Sequence, residues 1–464
     1  MIDSSERHDP LHGPIISVFA RYAIPEIAGM IALSSAGLID AIFLGNFVGA
    51  EALAAVNLSI PVWSLIFGVG LMVAVGGSVE CGKQLGEGKV AVASSLFTRT
   101  VIVSIALSLL LGLLPGLVFT DTLVAVLGAT EERLAEPLQI YLTIMLCFVP
   151  VIILETVFYY FVRLDGQPVL AAAAVALGSV VNIFLDWLLI VRFEAGIMGA
   201  AAASVVGAGV ATLVLFPHFF SQRSRLRFAG PLGNWLGLSR AYLNGASEFA
   251  NEASLGVTAF IFNWVMVSRM GVEGVAALAI VDYLLMAGLV ISYGISDSLQ
   301  PIISQNFGAR NPERIIAFLR TASIAIVVVG IAVSLLTLLM PKLLTGAFLR
   351  SDDRETNRIA VEFLLFLWPA FLFNGPNILV STYLTSMQKP VESAFIAFSR
   401  SFALPAALLL LLPIWLGDVG IFLTLPLAEA LTFAASLAFY FQNTPSRIIE
   451  NEITASSQVP MGNP

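Results

Sequence analysis

An amide and a carboxylate four residues apart, Asn182 and Asp186, sit inside the apolar run Val180-Val181-Asn182-Ile183-Phe184-Leu185-Asp186-Trp187-Leu188-Leu189-Ile190. On a helix that spacing stacks the two side chains on one face. A carboxylate at bilayer depth costs about 2.5–3.5 kcal/mol even on lenient insertion scales, so it normally faces a protein interior or a watery cavity and has a function. Asp40, in Gly37-Leu38-Ile39-Asp40-Ala41, lies near the end of the first apolar segment; its bland alternative is an interfacial acid close to water. Ser204 can add a hydroxyl, although a mid-helix serine often bonds its own i−4 carbonyl instead. Oxygen donors of the Asp, Asn and Ser type suit a hard monovalent cation or a shuttled proton, not a soft metal. Glu155, one turn before Tyr159, belongs to the same half of the chain. The second half offers Glu248, Glu252, Asn263, Asp282 and Asp297, which are as suited to capping or lining a vestibule as to touching cargo.

These residues need long apolar elements to hold them, and the composition supplies such elements. The chain has 464 residues, 58% hydrophobic and 12% charged, with mean hydropathy +0.92. A soluble domain carries about 25% charged residues, so this reads as an all-α polytopic membrane protein. Twelve spans are expected, roughly 16–45, 51–80, 92–119, 134–162, 167–191, 196–220, 240–268, 273–303, 314–340, 356–386, 391–416 and 419–442. Pro25, Pro61, Pro150, Pro301, Pro369 and Pro376 fall within or near the ends of spans, where proline removes a helix hydrogen bond and bends the axis. Pro25 is the expected hinge of the first. The expected organisation is a tail at 1–15, a six-helix ion-coupling lobe at 16–220, a polar linker at 221–239, a second six-helix lobe at 240–442, and a polar, frayed tail at 443–464.

An even number of spans puts both termini on one side. Sixteen of the 23 Lys and Arg residues, Arg163 and Arg400 among them, fall on that side and seven on the other; both ends are therefore expected in the cytoplasm. Arg223, Arg225 and Arg227 form the one arginine-rich spot, a cytoplasmic anchor and not a nucleic-acid face. Cys81 and Cys147 lie in or beside apolar segments and argue against a disulfide framework or metal site. His8, His12 and His218 have no metal-ligand spacing, and Met1 to Pro14 does not read as a cleaved signal peptide. Gly77-Ser78-Val79-Glu80-Cys81-Gly82-Lys83 imitates a phosphate-binding loop but continues with Gln84 and follows no strand, so ATP hydrolysis is excluded and no enzyme activity is expected.

The halves repeat. Gly49-Ala50-Glu51 recurs as Gly271-Val272-Glu273, Gly86 as Gly308, Glu26 as Glu248, and Pro168-Val169 as Pro390-Val391, every pair 222 residues apart. With six spans per copy the repeats share one orientation, an arrangement known for transporters with a cavity between two bundles. The repeat fails at the acids: Asp40 pairs with Phe262, Asn182 with Leu404 and Asp186 with Leu408. The intramembrane acidic group is thus expected in the first half only.

Asp40 followed by Gly49-Ala50-Glu51-Ala52-Leu53-Ala54-Ala55, Gly82-Lys83-Gln84-Leu85-Gly86, Arg163-Leu164-Asp165-Gly166-Gln167-Pro168, Gly196-Ile197-Met198-Gly199-Ala200-Ala201 and Gln300-Pro301-Ile302-Ile303-Ser304-Gln305-Asn306-Phe307-Gly308 together resemble the multidrug and toxic compound extrusion (MATE) family, in its MepA-like bacterial branch. The resemblance covers roughly 20–445. It implies a monomeric twelve-helix exporter of the bacterial inner membrane that takes up H⁺ or Na⁺ while expelling cationic or amphipathic compounds. It carries the coupling site onto Asp40, Asn182 and Asp186, with Ser204 where threonine is common. Tyr159 stands where relatives often place an asparagine, which tilts the expectation toward protons or toward Glu155 compensating. A flippase for a lipid-linked or other amphipathic anion is the alternative; it calls for cations inside the spans, which are expected to be scarce. A redox-driven pump subunit calls for midplane lysines or cofactor ligands, and neither is found.

Overall fold

The computed structural model describes residues 9–129, 131–230, 235, 238–346, 348 and 354–457. Arg7, His8, Arg350, part of the 221–239 connection and the last residues of the tail lie outside the described residues. Within them the chain is helical with no strand. The spans are α1 (Ile15–Val48), α2 (Ala50–Gly86), α3 (Val90–Val118), α4 (Glu132–Cys147 continuing as Val149–Leu164), α5 (Pro168–Arg192), α6 (Gly196–Phe220), α7 (246–270), α8 (272–308), α9 (Pro312–Leu339), α10 (Arg354–Leu367 continuing as Ala370–Ser386), α11 (Pro390–Leu416) and α12 (Asp418–Gln442). A thirteenth helix, α13 (Pro445–Ser457), follows.

Three irregularities turn this into twelve spans. The rod Ala246–Gly308 has 63 residues, about three times what a bilayer needs, and Gly271, at φ 67 and ψ −154, breaks it into α7 and α8. Two further spans are bent pairs, by 49° in α4 and 57° in α10. Pro150 opens the second limb of α4 and Pro369 caps that of α10, each withholding the N–H that a continuous helix needs.

The repeat extends to the backbone. Gly49 and Gly271, Gly88 and Arg310, and Gly166 and Gln388 are all 222 residues apart and all have positive φ. The turn bonds match as well: Gly88 N–H donates to the Leu85 carbonyl as Arg310 does to Phe307, and Gly166 to Arg163 as Gln388 does to Thr385. In two of the three pairs the second copy keeps the left-handed turn with a side chain, a conformation that costs a non-glycine residue about 1–2 kcal/mol.

The chain packs as two compact units. One comprises Ile24–Cys81 and Lys89–Gly256; the other comprises Met1–Ala23, Gly82–Gly88 and Val257–Pro464. The boundary inside α1 falls beside Pro25. In the first unit, α5 and α6 touch through two glycines: a Cβ on Gly178 would meet the Gly207 carbonyl oxygen at 2.7 Å, and one on Gly207 the Gly178 oxygen at 2.8 Å. Such small-residue contacts let helices approach closely in lipid. Phe97, Phe158, Phe161 and Phe219 form its buried aromatic core. The start of the mid-chain connection is tied down: buried Asp165 accepts from His218 Nε2 and Ser224 Oγ, each at 2.8 Å, and from Arg225 N at 3.1 Å.

The second unit buries Phe262, Met266, Phe363, Leu367 and Phe422 in its core. It also holds the segment that precedes α1. Asn306 Nδ2 and Arg314 Nη2 donate to the Pro10 carbonyl at 3.1 and 2.9 Å, and Arg314 Nη2 to that of Gly13 at 2.7 Å. Within the tail expected to be frayed, Pro445–Ser457 forms α13, whose Ile448 and Ile449 are buried. Gly86 and Gly308 meet reciprocally, since a Cβ on Gly86 would strike the Gln305 carbonyl oxygen and one on Gly308 that of Lys83. Gly308→Val is therefore expected to lower stability by about 1–3 kcal/mol through overpacking against backbone, seen as a reduced melting temperature in detergent. Gly37→Ala, where nothing lies within 4 Å, is the control and should be neutral or better.

Candidate cation and proton site

α5 carries Gly178, Asn182 and Asp186 at successive four-residue steps, so the glycine that admits α6 shares a stripe with both polar side chains. That close approach brings Ser204 to Asn182, whose Nδ2 donates to Ser204 Oγ at 3.5 Å. Asp186 is fully buried and directly precedes a π-helical turn, Trp187–Arg192. Asp40 precedes another, Leu44–Val48, at the end of α1. A π turn inserts a residue and rotates the side chains beyond it, and such turns are frequent at functional sites.

The two carboxyl groups face one another within hydrogen-bonding range. Yet no N–H or O–H among the described residues donates to either Asp186 oxygen or to Asp40 Oδ1. Ionised carboxylates are acceptors only, and two buried anions in contact cannot both persist bare. The site therefore fits a shared proton, or a small hard cation among carboxylate and amide oxygens. Tyr141, on α4, lies close enough for both carboxylates to act on its phenol. Sequence reading missed it, because nothing in Gln139-Ile140-Tyr141 distinguishes it from a core tyrosine. No group of three His, Cys, Asp or Glu side chains suited to a metal ion occurs among the described residues.

Other expected members go elsewhere. Tyr159 does not join the aspartates; it bonds Glu26, and its ring lies 5.3 Å from the Arg163 guanidinium. Glu26 is fourteen residues before Asp40, about 21 Å along α1. Glu155 makes no hydrogen bond or ion pair among the described residues. Glu252 packs its Cβ against Gly68 of α2. Asp282 and Asn263 are exposed, and Asn263 only donates to its own helix at Ala259, at 3.0 Å. Asp297 accepts from Thr382 Oγ1 at 3.5 Å. Glu248 is half-buried with a partner.

Two cations counted on the side of the termini are paired with acids and largely withdrawn from solvent. Arg163 is 1% exposed and ion-paired with Glu26, with the Tyr160 ring 4.7 Å away. Arg400 sits ten residues into α11, on a third π turn, Ser399–Ala403. Its Nη2 and Nε reach Glu429 Oε1 at 3.1 and 3.2 Å, and its Nη1 donates to Tyr293 Oη at 2.8 Å. Asn377 Nδ2 donates to Glu429 Oε2 at 2.7 Å, and Asn377 Oδ1 accepts from Ser436 Oγ at 2.9 Å. The second half thus has a charged network of its own, contrary to expectation. Counting by side grouped Arg400 with the cytoplasmic cations although 391–416 was read as a span, and a buried acid 29 residues downstream gives no periodic signal.

The MatE family model matches residues 25–188 and 252–411, one stretch in each repeat. The multidrug export protein MepA of Staphylococcus aureus is 23% identical over 433 residues, covering 92% of this chain and 94% of the relative. The FAD transporter of Shewanella oneidensis is 27% identical over 442 residues, again covering 92% and 94%. Among solved structures, a MOP superfamily transporter from Pyrococcus furiosus aligns with TM-score 0.86 at 20% identity, over 97% of this chain and 98% of the other. A duplicated twelve-span helical fold matched by the family in both copies leaves one assignment: this chain is a transporter of the MATE family, a membrane protein and not an enzyme.

Proposed function

We propose that the protein is a secondary antiporter of the bacterial inner membrane, with both termini cytoplasmic, that expels cationic or amphipathic organic compounds as H⁺ or Na⁺ enters. The observation that carries this is the Asp40–Asp186 contact, a half-buried and a buried carboxyl group with no protein donor to most of their oxygens. Asn182 and Ser204 complete an oxygen set on α5 and α6. A coupling ion shifts a two-state transporter only through differential affinity for its states, and a site whose two anions repel when empty is built to differ. Pro25, at the boundary between the two units within α1, lets the limb bearing Asp40 move apart from the limb fixed to Asn306 and Arg314.

Charge favours cationic cargo. The buried arginines Arg163 and Arg400 are each neutralised by an acid, while Glu155, Glu252 and Asp282 have no ion-pair partner among the described residues. A second reading, export of a phosphorylated nucleotide cofactor, draws on the FAD transporter being more similar in identity than MepA. It requires cations free to meet phosphates.

Vesicles loaded with a fluorescent organic cation, under separately imposed Na⁺ and pH gradients, test both readings. Export driven by one gradient and dissipated with it is the expected result. Movement of FAD but not of the organic cation would favour the second reading, and movement of neither under either gradient would end the first.

A further inference from the structure

Lys83, in the last turn of α2, is held on three sides by the second half of the chain. Its Nζ is ion-paired with Glu452 of α13, donates to Gln388 Oε1 at 3.3 Å, and lies 4.9 Å from the Phe307 ring centroid. Around it the Gly82–Gly88 segment belongs to the same compact unit as 257–464, joined through the reciprocal Gly86–Gly308 contact. α13 is not one of the twelve spans. It is moored to the second half through buried Ile448 and Ile449 and, just before it, the Asn443 carbonyl that accepts from Tyr383 Oη at 2.6 Å. Its Glu452 then reaches across to a first-half lysine 369 residues away.

We propose that α13 is a latch, with Glu452 as its catch on Lys83, holding the α2 end of the first half against the α8 end of the second. This rests on the antiporter reading: cargo entering from the side of the chain termini requires those two ends to part, so the catch must open once per cycle. The ion pair is partly solvated, with side chains 13% and 33% exposed. Partly exposed pairs contribute modestly, which suits a contact made and broken repeatedly.

The test uses the full chain with Cys81 and Cys147 replaced by serine. Leu85, 5% exposed within the clasped segment, becomes the reporter as Leu85→Cys, read by its rate of modification with a water-soluble maleimide. Glu452→Gln is expected to raise that rate about two- to fivefold, and the swap Lys83→Glu with Glu452→Lys to return it. A rate unchanged by Glu452→Gln, or one that stays raised in the swap, overturns the latch. Separately, Lys83→Cys with Glu452→Cys should stop dye export on oxidation and recover on reduction. Full cross-linking with undiminished export would equally overturn it. Absence of export from the cysteine-free parent would instead count against the antiporter reading, with the modification rates still deciding the latch.

Discussion

Asp186→Asn is expected to yield a folded, inserted protein whose gradient-driven export falls to the level of empty vesicles, a loss of at least ~100-fold. Moving a two-state equilibrium from 1:99 to 99:1 takes about 5.5 kcal/mol of differential binding. The coupling ion supplies that difference only if its site changes charge. An asparagine keeps the volume of Asp186, and its amide can donate to Asp40, which removes the unsatisfied contact along with the need for an ion to relieve it. The variant should be as stable as the parent or more so, and should still bind a fluorescent cargo at equilibrium. Retained stability together with lost export separates a functional acid from a structural one. Export at the parental rate would remove Asp186 from the mechanism.

Arg400→Met should be the most damaging single change to stability in the second unit, costing about 3–5 kcal/mol. The arginine and Glu429 are both largely buried, with side chains 8% and 11% exposed, and four spans contribute to the network through Tyr293, Asn377, Arg400 and Glu429. Removing the cation strands a carboxylate that only Asn377 still serves. The double variant Arg400→Met with Glu429→Leu should recover much of the loss, because replacing a buried pair with packed apolar groups is often neutral. Melting curves of the two single variants and the double, in one detergent, give the coupling directly. Additive losses would show that the pair is not a unit.

The duplication was readable because an offset of 222 residues recurs without drift, and the twelve spans because apolar runs of sufficient length are hard to mistake. Asn182 and Asp186 stood out for the same reason, as polar groups where lipid forbids them. Asp40 was found by its place in the first span, and it faces Asp186. What could not be read were partnerships between distant helices. Tyr159 and Glu26 are on different spans, and only packing decides that the phenol turns to that acid. Arg400 was grouped with the cytoplasmic cations because one-dimensional counting records a side and not depth. The π turns at 44–48, 187–192 and 399–403 leave no compositional trace, yet they lie at or within one turn of Asp40, Asp186 and Arg400. The helix at 445–457 was hidden by low hydropathy, its three isoleucines being too few to outweigh the polar residues around them.

The unit that contains the second half also takes in the segment before Pro25 and Gly82–Gly88, so pieces of chain made early and late in synthesis share one packed unit. At about 5–20 residues per second, the opening stretch of α1 waits roughly 20–90 s for α13 to emerge. Until then Lys83 lacks its ion-pair partner Glu452. Packing of this unit therefore completes only after α13 has been made, long after its earliest segment.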